Sequence, residues 1–126
     1  MKGRLLKTVI DFKLSKDEGP VCGVYRLYNP RFPHIYYVGS SKDIRHRLNS
    51  HFRKLDKKPS NHKNFKLVRL NAQFPNELYW EIVQTYEGDG AEEAARDCEQ
   101  TILSFPPKGA KLLNIDKKVY SYKRRK

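Results

Sequence analysis

The sequence has little cysteine and no long apolar run, and it has far fewer acidic than basic residues. Its two cysteines, Cys22 and Cys98, stand far apart and lack zinc-ligand spacing. We expect both to be reduced core thiols, with a single disulfide as the alternative. No run reaches the roughly 18 apolar residues of a membrane helix, and no signal-peptide pattern follows the basic start. We therefore expect a cytoplasmic protein without a membrane partner.

Positive charge is the strongest bulk property of the chain. Lysine and arginine number 26 against 14 acidic residues, which gives a formal net charge of +12. Such a chain binds polyanions through phosphate contacts and counterion release, so the composition favours a nucleic-acid partner. A ribosome-associated or merely soluble basic protein is the alternative, and charge alone says nothing about catalysis. The length of 126 residues fits one domain with a buried core.

Hydrophobic periodicity predicts a small α/β domain around a three-stranded sheet, with the element order ββααβα. The expected strands are 21–28, 34–38 and 78–86, and the expected helices are one that follows Ser40, 62–73 and 91–105. The core stripe of the first helix is Ile44, Leu48, Phe52 and Leu55. In the second helix Phe65, Val68 and Ala72 are expected to face inward.

Two contacts within this arrangement are predicted from spacing alone. A turn centred near Arg31 places Tyr37 opposite Tyr25 as a cross-strand aromatic pair. Ser40 is expected to cap the first helix, with Asp43 three residues later as its box-like partner.

Three polar side chains lie near the apolar sides of the predicted helices. On a helical wheel, His51 falls just inside the stripe of the first helix and Arg47 just outside it, one turn apart. Glu99 lies on the apolar side of the third helix, beside Ala95 and Ile102. A carboxylate there is costly unless it is paired or bound to a cation. A salt bridge, for instance to Arg47, is the alternative to a metal site.

Two short motifs and four single residues occur in a specific order along the chain. In sequence they are Gly23-Val24-Tyr25, Tyr37-Val38-Gly39, Arg47, His51, Glu99 and Asn114. This order resembles the GIY-YIG nuclease family, most of all its phage and intron-encoded homing endonucleases, with valine for isoleucine in both tripeptides. The resemblance covers roughly residues 21–116. It implies an α+β fold in which a small three-stranded antiparallel sheet is flanked by about three helices.

The resemblance implies a catalytic site made of five side chains. Tyr25 is expected to be the general base or to orient the water, which requires a nearby cation because a phenol has a pKa of about 10. Tyr37 is expected to hydrogen-bond the phosphate or the water, and Arg47 to stabilise the pentacovalent phosphate. His51 is expected to orient the water or protonate the leaving group. Glu99 is expected to bind one Mg²⁺ or Mn²⁺ ion per site.

Four further residues are expected to support this site. Lys42 is a candidate cation beside the phenol, and Gly39 lets the backbone approach the phosphate. Asn114 resembles a residue that hydrogen-bonds the groups around the metal, and His62 resembles a second family histidine. Each predicted site residue also has a purely structural interpretation. The tyrosines would pack the sheet, Arg47 would be solvated, His51 would be hydrogen-bonded in the core and Asn114 would form a turn.

We predict three segments in the chain: a basic arm at 1–20, the nuclease domain at 21–116 and a basic, aromatic tail at 117–126. Arm and tail are expected to face DNA, with tyrosines for stacking. The predicted DNA-binding residues are Lys42, Arg45, Lys54, Lys57, Lys58, Lys123, Arg124 and Arg125.

The resemblance therefore implies a Mg²⁺-dependent DNA endonuclease, either homing-endonuclease-like or a standalone phage or bacterial nuclease. The alternatives are a structure-specific repair or restriction nuclease of the same family and a catalytically silent nucleic-acid-binding module. Only the ten residues 117–126 follow the predicted domain. We therefore expect either a piece of a longer protein or a compact nuclease. One site cuts one strand at a time, so we expect a monomer in solution that can dimerise on DNA.

Overall fold

The computed structural model of this chain describes residues 3–6 and 21–114. Their elements are β1 (Arg4–Leu5), β2 (Cys22–Tyr28), β3 (Ile35–Ser41), α1 (Ile44–Lys57), a 3₁₀ turn (Pro59–Asn61), α2 (Phe65–Gln73), β4 (Tyr79–Tyr86), α3 (Ala91–Ser104) and β5 (Lys111–Leu112). The predicted order ββααβα is confirmed for the long elements, and two short strands are added. In the described part of the chain, no helix combines the length and the apolar character needed to cross a membrane.

One sheet contains all five strands in the order β1-β4-β2-β3-β5. The three long strands are antiparallel, because β2 pairs with both β3 and β4. This confirms the predicted sheet, which is extended at its edges by β1 on β4 and by β5, parallel to β3. Leu6 follows β1 and is buried, so the start of the predicted arm belongs to the folded domain. The rest of that arm, 7–20, and the tail, 117–126, lie outside the described residues.

Helices cover both faces of the sheet. One core cluster joins Tyr25 and Leu27 of β2 to residues of α1 and α2. The other joins Val24 of β2 to Val38 of β3 and Ala95 of α3. Since successive residues of a strand point to opposite faces, α1 and α2 cover one face and α3 covers the other. The core stripe predicted for α1 is confirmed by the burial of Ile44, Leu48 and Leu55 and by the packing of Phe52.

The register between β2 and β3 differs from the prediction by two residues. Tyr25 pairs with Gly39, and Tyr37 pairs with Leu27. The connecting loop is centred one residue later than expected, and an even shift keeps every side chain on its predicted face. The Tyr25 ring lies over Gly39, where an added Cβ would be 2.5 Å from the phenol oxygen. This packing gives a structural reason for the glycine, and the approach of a phosphate to it stays a prediction.

The start of α1 corrects the predicted cap. Ser40 pairs with Val24 within the sheet, because β3 continues to Ser41. Asp43 is the cap, and its side-chain carboxylate accepts a hydrogen bond of 3.2 Å from the backbone N–H of His46. Pairing with β2 therefore overrides the capping preference of Ser40.

The buried side of α2 also differs from the prediction. Leu67 is fully buried, whereas Phe65 is 55% exposed and Ala72 is also exposed. The helix begins three residues later than expected, with Asn64 as its cap. Val68 packs against the core as predicted, so the buried side of α2 is formed by Leu67 and Val68, and Phe65 lies at the first residue of the helix.

Candidate active site

A cleft opens between β3, α1, the segment that leads into α2 and the residues after β5. Its volume is about 530 Å³. Its lining residues are Tyr37, Arg47, Ser50, His51, Lys54, His62, Lys63, Asn64, Phe65 and Asn114. Three of the five predicted catalytic side chains, Tyr37, Arg47 and His51, therefore line one basic cleft. Tyr25 does not line it but is hydrogen-bonded to His51.

A chain of hydrogen bonds runs through the wall of this cleft. The phenol oxygen of Tyr25 lies 2.7 Å from Nε2 of His51, and both side chains are buried. Nδ1 of His51 lies 2.8 Å from Nε2 of His62. The backbone N–H of Asn64 donates to Nδ1 of His62 at 3.1 Å. The chain therefore connects a strand of the sheet to the cap of α2.

The last hydrogen bond of this chain determines the direction of all the others. Nδ1 of His62 accepts from a backbone N–H, so a neutral His62 carries its proton on Nε2. It then donates to Nδ1 of His51, whose own proton must be on Nε2. His51 consequently donates to the phenol oxygen of Tyr25. The backbone N–H of Asn64 thus fixes the tautomers of both neutral rings.

Both histidines are neutral at physiological pH. Burial lowers the pKa of His51 well below its ordinary value. Positive charge on His62 when that ring is protonated, and the charges of Arg47 and Lys54, lower it further. Burial and the charges of Lys54 and Arg47 lower the pKa of His62 to about 4. His51 uses both ring nitrogens inside the protein. This supports the structural alternative for His51, and a direct action of its ring on the substrate stays a prediction.

The exposed guanidinium of Arg47 affects the pKa of both Tyr25 and Tyr37. Burial raises the pKa of the Tyr25 and Tyr37 phenols. The charge and hydrogen bonding of Arg47 lower both values in part. In the unliganded protein Tyr25 is therefore a neutral phenol, and a base role requires a further cation.

Glu99 approaches these groups from the α3 side of the sheet. Its carboxylate accepts a hydrogen bond of 2.6 Å from the hydroxyl of Ser40, next to Gly39 at the end of β3. Glu99 does not line the cleft described above. Its charge nevertheless raises the pKa of both phenols, so the carboxylate lies within electrostatic range of them.

The residues present fit a single magnesium-type ion. Residues 3–6 and 21–114 contain no group of three or more His, Cys, Asp or Glu side chains that could hold a metal. Mg²⁺ keeps much of its hydration and is commonly bound by one or two carboxylates together with substrate phosphates. Burial raises the pKa of Glu99, whereas the Ser40 hydrogen bond and the charge of Arg47 lower it. A partly desolvated carboxylate of this kind is stabilised by a nearby cation.

The supporting residues have different environments. The Asn114 amide accepts from the backbone N–H of Val38 and donates to its carbonyl, both at 2.8 Å. Asn114 therefore holds the segment after β5 against β3, and its contact with a metal-bound group stays a prediction. Lys42 is exposed just after β3 and does not line the cleft. His62 does line it.

The predicted DNA-binding residues that can be located lie on or beside α1. Lys54, Lys57 and Lys58 line a smaller basic groove together with Arg53. Arg45 is exposed on the same helix. The remaining predicted residues, Lys123, Arg124 and Arg125, lie outside the described part of the chain.

Sequence patterns missed three features of this site. The hydrogen bond from Ser40 to Glu99 was missed because Ser40 was assigned to the cap of α1. Alternation along β3 puts Ser40 on the same face as Val38, toward α3, and could have indicated this contact. The placement of Phe65 on the cleft was missed because helical periodicity favoured its burial. No local pattern indicates that His62 contacts His51, because that contact depends on how the chain folds back after the 3₁₀ turn.

Comparison with known proteins gives one family match and two similar solved structures. The protein family described as the GIY-YIG catalytic domain matches residues 21–104. The solved catalytic domain of the homing endonuclease I-TevI is similar, with a TM-score of 0.56 and 25% identity over 72% of this chain and 96% of that one. A point mutant of the catalytic domain of intron endonuclease I-TevI gives a TM-score of 0.51 and 30% identity over 67% and 86% of the two chains. No protein with a curated description matches significantly.

The family match covers 84 of the 126 residues, and it contains both tripeptides, the α1 residues and Glu99. It ends before Asn114, which follows β5. Because the match spans well over half of the sequence, the chain belongs to the GIY-YIG family, and residues 21–104 form its catalytic domain.

Proposed function

We propose that this protein is a divalent-metal-dependent endonuclease that hydrolyses phosphodiester bonds in DNA. The observation that carries the proposal is the position of the Tyr25 phenol. Its oxygen is hydrogen-bonded to His51, and the charge and hydrogen bonding of Arg47 lower its pKa. The two similar solved structures are named as catalytic domains of a homing or intron endonuclease. The basic cleft and the formal charge of +12 support a polyanionic substrate.

Arg47 and Tyr37 are proposed to bind the scissile phosphate. Both line the cleft, and the exposed guanidinium is available to the phosphoryl oxygens. A guanidinium stays charged at any working pH and can donate two parallel hydrogen bonds to phosphate. Charge that develops on the phosphoryl oxygens during attack by water is stabilised by such preorganised donors.

Tyr25 is proposed to accept the proton of the attacking water as a phenolate. The phenol must first release its own proton to solvent, and the bound divalent cation would lower its pKa for that step. The Tyr25 oxygen already accepts from His51, and a hydrogen bond donated to the phenolate stabilises that form. His51 cannot take the proton of Tyr25 in this arrangement, because Nε2 of His51 already carries one. We therefore assign His51 and His62 the task of holding the Tyr25 oxygen as an acceptor.

Glu99 is proposed to hold the divalent ion, Mg²⁺ or Mn²⁺. The bound ion supplies positive charge that lowers the pKa of nearby acids and neutralises phosphate oxygens. Ser40 fixes the carboxylate through its hydrogen bond at the end of β3.

A single site of this kind cuts one strand per event. We propose a monomer that nicks DNA, with double-strand breaks arising from two events or from dimerisation on DNA. The rival function is a nucleic-acid-binding module that retains the fold but does not cleave.

Nicking of a supercoiled plasmid separates these two functions. We expect nicking by the unmodified protein with Mg²⁺, none with EDTA, and little or none by Glu99→Ala or Arg47→Ala. Glu93→Ala and Arg96→Ala are matched controls, since both residues are exposed on α3 away from the cleft, and they should nick normally. Glu99→Ala should still bind DNA. Equal nicking by the unmodified protein and Glu99→Ala would remove the metal assignment, and binding without nicking would favour the silent module.

A further inference from the structure

An exposed aromatic ring stands at the mouth of the cleft. Phe65, the first residue of α2, is 55% exposed, although a large apolar side chain is stabilised by burial. Its neighbours in the cleft wall include Lys54 and Lys63. The guanidinium of Arg69 lies over the ring at 5.7 Å from its centroid. The ring therefore lines a cleft that two lysines also line, and it has one guanidinium over it.

The backbone that carries this ring is firmly anchored. The Asn64 side chain accepts from the backbone N–H of Leu67 at 2.9 Å and donates to the carbonyl of Leu113 at 3.1 Å. Leu67 itself is fully buried. A ring on such a support loses little conformational entropy when a flat ligand covers it.

We propose that Phe65 is a stacking platform for a nucleobase next to the scissile phosphate. The proposal rests on the proposed nuclease function, and it defines the substrate class more narrowly. Aromatic side chains beside basic residues are the means by which proteins bind single-stranded nucleic acid, since every base has a π-face and every nucleotide a phosphate. Lys54 and Lys63 supply the phosphate contacts, and the cleft of about 530 Å³ has the size of an ordinary ligand site.

The geometry selects a particular kind of DNA. Inside a duplex both faces of a base are covered by its neighbours, so Phe65 can stack only on a base that is unpaired or extruded from the helix. DNA that carries an unpaired nucleotide beside the cleavage position should therefore be the better substrate.

The test compares two fluorescent oligomers of equal length, an oligothymidylate and an abasic strand with the same phosphates but no bases. Fluorescence anisotropy gives the dissociation constants in the presence of EDTA, so that no cleavage occurs. Phe65→Ala should weaken binding to oligothymidylate by about 5- to 150-fold and leave binding to the abasic strand unchanged. Phe65→Trp should restore binding, whereas Lys63→Ala should weaken binding to both strands equally.

Phe105→Ala is the matched control, because Phe105 is 78% exposed and does not line the cleft. It should bind both oligomers as the unmodified protein does. Equal weakening of both oligomers by Phe65→Ala, or no weakening at all, would overturn the stacking site. Plasmid nicking is read separately. If the unmodified protein nicks while Phe65→Ala shows no base-dependent loss, the nuclease function stands and only the stacking site fails.

Discussion

Gly39→Ala probes how the Tyr25 phenol is positioned. A Cβ at residue 39 would lie 2.5 Å from the phenol oxygen, 2.6 Å from Cζ and 3.1 Å from Cε1 of Tyr25. The ring is fully buried, and its oxygen is held at 2.7 Å from His51. To restore an ordinary contact of 3.4 Å, the ring must move by nearly 1 Å.

The expected effects follow from that displacement. Overpacking of a core costs about 1–3 kcal/mol, and weakening the buried hydrogen bond to His51 adds about 1–3 kcal/mol. We therefore expect the free energy of unfolding to fall by roughly 2–6 kcal/mol. Misplacement of a catalytic group by about 1 Å can cost about 100-fold in rate, so nicking should fall by that order while DNA binding persists.

Urea denaturation, plasmid nicking and DNA-binding assays measure these three quantities. Gly88→Ala is the control, because nothing lies within 4 Å of its added Cβ and only its φ of +82° is strained. That variant should lose about 1 kcal/mol and keep full activity. The reasoning is wrong if Gly39→Ala is as stable and as active as the unmodified protein. Loss of DNA binding without loss of stability would instead support a phosphate contact at Gly39.

Two further predictions concern the hydrogen bonds around the cleft. Asn114→Ala removes both hydrogen bonds to the backbone of Val38 and should lower the free energy of unfolding, measured in urea, by roughly 1–3 kcal/mol. Asn61→Ala, at an exposed position, should change it little. Equal values for the two variants would show that the Asn114 hydrogen bonds do not stabilise the fold. The pKa of His62 is lowered to about 4 in the folded state, so the unfolded chain binds more protons and stability should fall as the pH drops from about 6.5 to 4. The full shift would be worth roughly 3 kcal/mol, and the half-exposed ring reduces this to about 1–2 kcal/mol. His62→Gln, which keeps one donor and one acceptor but does not titrate, should lack this part of the loss in urea titrations at each pH, and an identical pH profile would refute the assignment.

Local periodicity was sufficient for the secondary structure of the long elements. The α1 stripe of Ile44, Leu48 and Leu55 is buried as predicted, because residues one helical turn apart always share a face. The faces of β2 and β3 were also predicted, since an error of two residues in register leaves alternation unchanged. The capping preference of Ser40 gave a wrong prediction, because Ser40 pairs with Val24 in the sheet. The helical spacing of Phe65 also gave a wrong prediction, because Phe65 is the first residue of α2 and lines the cleft.

The sequence by itself determined the element order, the buried faces of β2, β3 and α1, and, through the spacing of its motifs, membership of the GIY-YIG family. Only the tertiary structure decided which polar atoms meet. The bonds from Tyr25 to His51 and from Ser40 to Glu99 join residues 26 and 59 positions apart. Such bonds depend on how helices pack on a sheet, and a local repeat of two or 3.6 residues contains no information about that packing.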